Sequence, residues 1–428
     1  MKIQNVKGGY DFLPNEQKIR NYINDTIIKN FKLYGFKSIE TPILCYYDLL
    51  ANKYDEQNDI LKEIYKLKDQ GNRNLGLRYD LTIPFAKFIA LNKNNISFPF
   101  KRYEIAKVFR DGPVKTGRDR EFIQCDADVV GIRGQFIEAE LLSIYVKTFK
   151  ELKIDIYIKY NSRKLMNGLI LESGIKKDLL QKVTTIIDKK DKITKKDFIC
   201  MLTELNIKKQ TIDKLMMYFN MNLSELNKIF NNSNNENIRE GLKEINNLNK
   251  YLLKLNIEEI CLFDVTLARG QNYYTGNVFE VYDKEQRVKG SIAAGGRYDK
   301  IIGDFINDNE DYPTVGISFG LSSIYEILKT KINQTNSETD IYIIPMDTES
   351  ECLAIANNLR NTGYSVEIEM SNRKLKKSLD YVNKQGIRFV IIIGTNELET
   401  GQIIIKDMIN GKNIKTTIDK LIKINLSK

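Results

Sequence analysis

The chain of 428 residues contains no histidine. That absence removes serine–histidine and cysteine–histidine nucleophile systems, imidazole acid–base chemistry and zinc sites built on imidazole. Five cysteines, Cys45, Cys125, Cys200, Cys261 and Cys352, are scattered without a CxxC pair. Neither a zinc site nor a disulfide framework is expected, and the thiols read as buried and reduced. No apolar run approaches the ~20 residues of a membrane-spanning helix, and the opening MKIQNVKGGYDFLP lacks the apolar core of a secretory signal. The expectation is a cytoplasmic protein with no membrane partner and no metal site of its own. Its chemistry must rest on arginines, carboxylates, backbone amides or a metal brought in with substrate.

What is present is ordinary in bulk and basic in charge. A hydrophobic fraction of 42% and a charged fraction of 29% belong to a soluble globular chain, long enough for two or three domains with their own cores. The formal charge is +10, from 66 Lys and Arg against 56 Asp and Glu, which suits a polyanionic partner such as nucleic acid.

Along the chain, NEQKIRNYINDTIIKNFKLYGF carries Ile19, Ile23, Ile27 and Phe31 at helical spacing, with Asn15 as the expected cap and Gly35 as the stop. FKSIETPILCYYDLL reads as a strand interrupted by Pro42, suited to an edge or an interface. Next come NLGLRYDLTIPFAKFIA, a strand turning into a helix, and the hairpin of PFKRYEIAKVFRDG with REFIQCDADVVGI, joined by the basic loop DGPVKTGRDR. From Ser162 to Asn256 the chain is lysine- and asparagine-rich and helical, an inserted module within a domain spanning 1–328. Residues 329–339 read as a linker. IYIIPM, SVEIEM and RFVIIIG then alternate with helical segments starting near Glu349 and Arg373, so 340–428 is expected to be a small α/β domain with parallel strands.

The hairpin carries the first chemical signal. Period two places Phe122, Gln124, Asp126 and Asp128 on one face of its second strand. Such a face makes a poor core. As a pocket it offers an aromatic platform for a base and carboxylates for an amine-bearing ligand, with Arg102, Arg110, Arg118 and Arg120 at the mouth for phosphates. A salt-bridged, solvent-facing hairpin is the competing reading. Asp80 and Thr82 stand in LRYDLTIPFAKF beside Arg78, where capping the following helix is an equally good use of them. LARGQNYYTGNVFEVY adds Arg269, Tyr273 and Tyr274, and AAGGRYD adds glycines that allow close backbone approach to a ligand.

In order and spacing, FKRYEIAKVFRDGPVKTGRDREFIQCDADVVG, LARGQNYYTG and AAGGRYD resemble motif 2 and the two histidine-specific motifs of histidyl-tRNA synthetase, and FKLYGFKSIETPI resembles class II motif 1. The resemblance covers essentially the whole chain. It implies an α+β catalytic domain, in which an antiparallel sheet is flanked by helices, and a C-terminal α/β anticodon-binding domain at 340–428. It implies a homodimer formed through motif 1 and a two-step reaction: histidine and Mg-ATP give histidyl-adenylate, then the 3′ end of histidine tRNA takes the histidyl group. By the same resemblance, Arg110 binds the α-phosphate, Arg120 reaches the nucleotide phosphates and Phe122 stacks on adenine. Asp80, Thr82 and Gln124 hold the histidine amine, and Asp128 and Tyr274, with Tyr273 beside it, read the ring. Arg269 stabilises charge on the α-phosphate, and Lys115 and Arg118 lie near the tRNA acceptor end.

The sequence departs from the family pattern at several points. Ser322-Ser323 stand where an acid–arginine pair normally reaches the γ-phosphate, Asp119 where the motif 2 loop has tyrosine, and Gln271-Asn272 where leucine–aspartate is usual. Gly112 occupies the position of an acid used on adenine, and Gly9-Tyr10 replace a threonine-bearing turn. A catalytically silent relative, the regulatory subunit of ATP phosphoribosyltransferase, shares the fold but lacks the anticodon domain and much of motif 2, both of which resemble segments present here.

Overall fold

The computed structural model describes residues 2–51, 59–115, 117–190, 193–269, 273–307, 310–330, 337–371, 373–421 and 426. The chain divides into two compact units, Met1–Thr330 and Lys331–Lys428. Most of the expected linker, and Gln271-Asn272, lie outside the described residues.

The first unit is built on an eight-stranded sheet. Its strand order is Lys37–Ser38, Phe100–Phe109, Glu121–Val130, Thr314–Gly320, Ala293–Arg297, Asn277–Asp283, Ile156–Ser162 and Cys261–Phe263. All neighbours are antiparallel except the outermost pair at each end. One face is covered by the helices Pro14–Leu33, Phe136–Glu151 and Leu321–Leu328, through rings such as Phe31, Tyr145, Phe149 and Phe319. The first helix buries Ile19, Ile23, Ile27 and Phe31, as their spacing predicts. Its start differs from expectation: Pro14 opens it, a residue whose missing N–H costs nothing in a first turn. The Leu13 N–H donates to Glu16 at 2.8 Å, so Asn15 lies inside the helix and does not cap it.

The stretch around Pro42 also differs from the single interrupted strand expected. Lys37–Ser38 joins the large sheet, whereas Leu44–Tyr46 pairs with Asn74–Leu77 in a separate three-stranded sheet completed by Lys66–Lys68. Proline cannot donate to a ladder, and the chain changes sheets there. Among the described residues of 163–255 there are six α-helices, from Arg163–Glu172 to Glu236–Leu255, inserted between two strands that pair in parallel. Asn235 caps the last of them through the N–H groups of Asn237 and Ile238, which accounts for the polar run before it.

In the second unit Ile341–Pro345, Val366–Ile368 and Phe389–Ile393 are parallel, with the helices Glu349–Asn361 and Leu375–Gln385 between them. Two further strands, Gln402–Asp407 and Asn413–Thr417, extend the sheet antiparallel. No helix among the described residues is long and apolar enough to cross a membrane.

Candidate active site

The open face of the large sheet holds a cavity of ≈ 210 Å³ lined by Asp80, Thr82, Arg110, Phe122, Gln124, Asp126, Asp128, Arg269, Tyr273, Tyr274 and Tyr298, with glycine, alanine and serine backbone as its floor. The alternation read from the sequence produces it. In the ladder Gln124, Asp126 and Asp128 stand opposite Gly320, Ser318 and Gly316, so polar side chains rise on one strand over almost none on the next. Two glycines are required for that. A methyl on Gly316 would meet Asp128 Oδ1 at 1.9 Å, and one on Gly296 would meet the Tyr274 ring at 2.7 Å.

At one end, Arg110 donates from Nε to the Tyr79 carbonyl at 3.0 Å and from Nη2 to Gln124 at 3.3 Å, with its guanidinium 5.0 Å from the Phe122 ring centre. Asp80 caps the following helix and also lines the cavity. Its Oδ1 accepts from the Ile83 N–H at 3.1 Å at the start of the helix, while its buried Oδ2 has no partner. Burial pushes the Asp80 carboxyl up to about 6.

At the other end, Asp128 is held from two sides: Arg102 Nη2 lies 2.6 Å from Oδ2, and the Tyr298 hydroxyl donates to Oδ1. Arg102 also faces Glu104 at 3.7 Å and lies 4.1 Å over the Phe85 ring. It is fully buried, so it is a counter-ion under the pocket and not a phosphate ligand at the mouth as its residue type suggested. Its register opposite Asp128 imposes the pairing.

Arg269 is fixed by Glu280 and lies 5.9 Å from the Tyr274 ring centre, with its buried Nε unpaired. Arg269, Tyr273 and Tyr274 precede the strand Asn277–Asp283, so the chain leading into the strand, and not the strand itself, forms this wall. Between the two ends sits Asp126. Its carboxylate takes only long contacts from Gln124 Nε2, at 3.3 and 3.5 Å, together with the Ser318 hydroxyl. Burial pushes it up to about 7.

Three expected residues lie apart from this cavity. Arg120 donates to the Gly112 carbonyl at 3.2 Å and pairs with Asp111 at 3.2 Å. Lys115 and Arg118 form a backbone bridge in the hairpin loop, and Arg118 reaches Glu63 at 3.1 Å. Ser323 lies beneath that loop, its hydroxyl 3.5 Å from the Gly117 carbonyl. Residues to which the resemblance gave no role are Asp128's partner Tyr298, the floor residue Ser318, and Asp126. Alternation had already placed Asp126 on the pocket face. Among the described residues no three carboxylate or thiol groups converge as a metal site.

Comparison with known proteins gives a consistent result. Residues 8–324 match the family described as histidyl-tRNA synthetase, and residues 340–428 match the anticodon binding domain. Histidine–tRNA ligase 1 of Bacillus cereus is 45% identical over 98% of this chain and 99% of the relative. The histidine–tRNA ligase of Azobacteroides pseudotrichonymphae is 38% identical over 98% of this chain and 97% of its own. Among solved structures, the histidyl-tRNA synthetase of Nostoc sp. PCC 7120 superposes with a TM-score of 0.86 at 28% identity, covering 99% of this chain and 98% of that one. An ATP phosphoribosyltransferase regulatory subunit/histidyl-tRNA synthetase from Bacillus halodurans, at 21% identity and a TM-score of 0.77 over 91% of this chain and 98% of that one, shares the fold.

Proposed function

The chain belongs to the histidyl-tRNA synthetase family, and from that premise we propose that the open-face cavity is where it activates histidine with ATP and passes the histidyl group to tRNA. In the first step a carboxylate oxygen of histidine attacks the α-phosphorus of ATP, forming histidyl-adenylate as pyrophosphate leaves. In the second, a ribose hydroxyl at the tRNA 3′ end attacks the acyl carbon, and AMP leaves with the hydroxyl proton taken up by its phosphate. The first step needs no histidine in the enzyme, because the charge that develops on phosphorus is met by fixed cations.

The observation that carries this reading is one cavity with guanidiniums at separate points, Arg110 beside Phe122 and Arg269 on Glu280, and carboxylates on the floor between. Arg110 and Arg269 bracket the α-phosphate, and the Phe122 ring stacks the adenine against Arg110. Asp80 Oδ2, which no protein donor reaches, receives the α-ammonium of histidine together with Thr82 and Gln124. Asp128 and Tyr274 meet the imidazole, with Tyr273 packed behind Tyr274 at 4.7 Å between ring centres. Arg120, Lys115 and Arg118 act from the loop, on the outer phosphates and the tRNA acceptor end. Mg2+ enters with the nucleotide.

The unit Met1–Thr330 carries the chemistry and residues 340–428 bind the anticodon region. A homodimer is supported by the apolar residues exposed on and beside the small sheet: Ile43, Leu44, Tyr46 and Leu67. Sedimentation should then give about twice the 49.6 kDa of one chain. The protein works in the cytoplasm, where translation uses its product. ATP–pyrophosphate exchange dependent on histidine tests the assignment; histidine binding without exchange would point instead to a sensor.

A further inference from the structure

We propose that Asp126 is a specificity-determining residue for the substrate side chain, its carboxylate accepting a hydrogen bond from a ring N–H of histidine beside Asp128 and Tyr274. The inference rests on the assignment of this cavity to histidine activation. Four residues of strand separate Gln124 from Asp128, about 13 Å at the rise of an extended chain, and a histidine spans roughly half of that. With its amine between Asp80 and Gln124, the ring comes to lie over the midpoint, where Asp126 stands opposite Ser318.

The neighbouring carboxylate already has a cation beside it. Asp128 has Arg102 Nη2 at 2.6 Å from Oδ2, an ion pair without hydrogen-bond geometry, and accepts from the Tyr298 hydroxyl on Oδ1. Asp126 is 4% exposed, lines the cavity, and has only a serine hydroxyl and long amide contacts as donors. A buried carboxylate with so few donors costs free energy until one arrives, and burial raises its pKa although Arg102 and the Ser318 hydroxyl oppose the rise. Imidazole carries two nitrogens, and a pocket with acceptors at two points distinguishes it from rings with one polar atom or none.

Exchange kinetics of Asp126→Ala and the isosteric Asp126→Asn test this, with L-2-thienylalanine, which keeps the amine and carboxylate but has no ring N–H, as a competing inhibitor. Asp126→Ala should raise KM for histidine roughly 10- to 100-fold, the worth of one hydrogen bond to a charged group, with KM for ATP within about twofold and thienylalanine inhibition no weaker than in the wild type. Asp126→Asn should fall between the two, and it decides alone if the alanine variant does not fold. An unchanged KM for histidine, or an equal loss for histidine and ATP, would overturn the proposal. A wild-type protein that fails to exchange with histidine would instead overturn the assignment of the cavity, and this inference with it.

Discussion

Gly316→Ala is a one-methyl change with a calculable consequence. The new Cβ would sit 1.9 Å from Asp128 Oδ1, where real approaches stay above 3.0 Å, so the carboxylate must retreat by at least about 1 Å. It has no free direction, because Arg102 holds one oxygen at 2.6 Å and Tyr298 the other. Arg102 is completely buried, and neither its Nε nor its Nη1 has a hydrogen-bond partner. Breaking a buried ion pair from one side costs roughly 3–5 kcal/mol, and a melting temperature lower by roughly 5 to 10 °C follows for a domain of this size. Since the displaced carboxylate lines the pocket, KM for histidine should rise at least about tenfold. Gly9→Ala is the control, because a methyl there meets nothing closer than the Val6 carbonyl at 3.5 Å. Thermal melts and exchange kinetics of both variants are the assay. A Gly316→Ala protein that melts and binds histidine like the control would refute the account of Asp128 as a pinned carboxylate.

Arg269→Gln should lower kcat of exchange roughly 10²- to 10³-fold, the usual loss for one transition-state donor, and Arg269→Lys should not restore it, because the ammonium lacks the planar fork; a loss confined to thermal stability would contradict the catalytic role. The burial of two carboxyls also makes a prediction about pH. Asp80 and Asp126 titrate near 6 and 7 in the native state, above the usual 3.8, so the folded protein binds more protons than the unfolded chain across that window. Their contribution to stability is therefore greatest below about pH 4 and falls as pH rises through the native values. Asp126→Asn removes its share, and in urea melts the variant should gain on the wild type from pH 5 to pH 8, by up to a few kcal/mol at about 1.4 kcal/mol per unit; a pH-independent difference would contradict this.

The pocket floor was legible because period-two alternation is a strict rule: it placed Phe122, Gln124, Asp126 and Asp128 on one face without knowledge of the neighbouring strands. The partners on those strands were not legible. Arg102 read as a phosphate ligand because residue type reports charge and not depth; its burial follows from a register opposite Asp128, set by a pairing that local sequence does not encode. Asp80 was ambiguous for a physical reason, since one of its oxygens caps a helix and the other is free. The same limit applies at Pro42, where the break was visible but the change of sheet was not. The strands Gln402–Asp407 and Asn413–Thr417 escaped notice because the second is largely polar and exposed.

The most direct test of the central claim is ATP–pyrophosphate exchange by the purified protein against each of the twenty amino acids, followed by charging of total tRNA. The account predicts exchange with histidine alone, with transfer to one tRNA acceptor species, and therefore that Ser323 suffices where the family pattern carries arginine. Histidine binding without pyrophosphate exchange would contradict it and make the chain a sensor built on a synthetase fold.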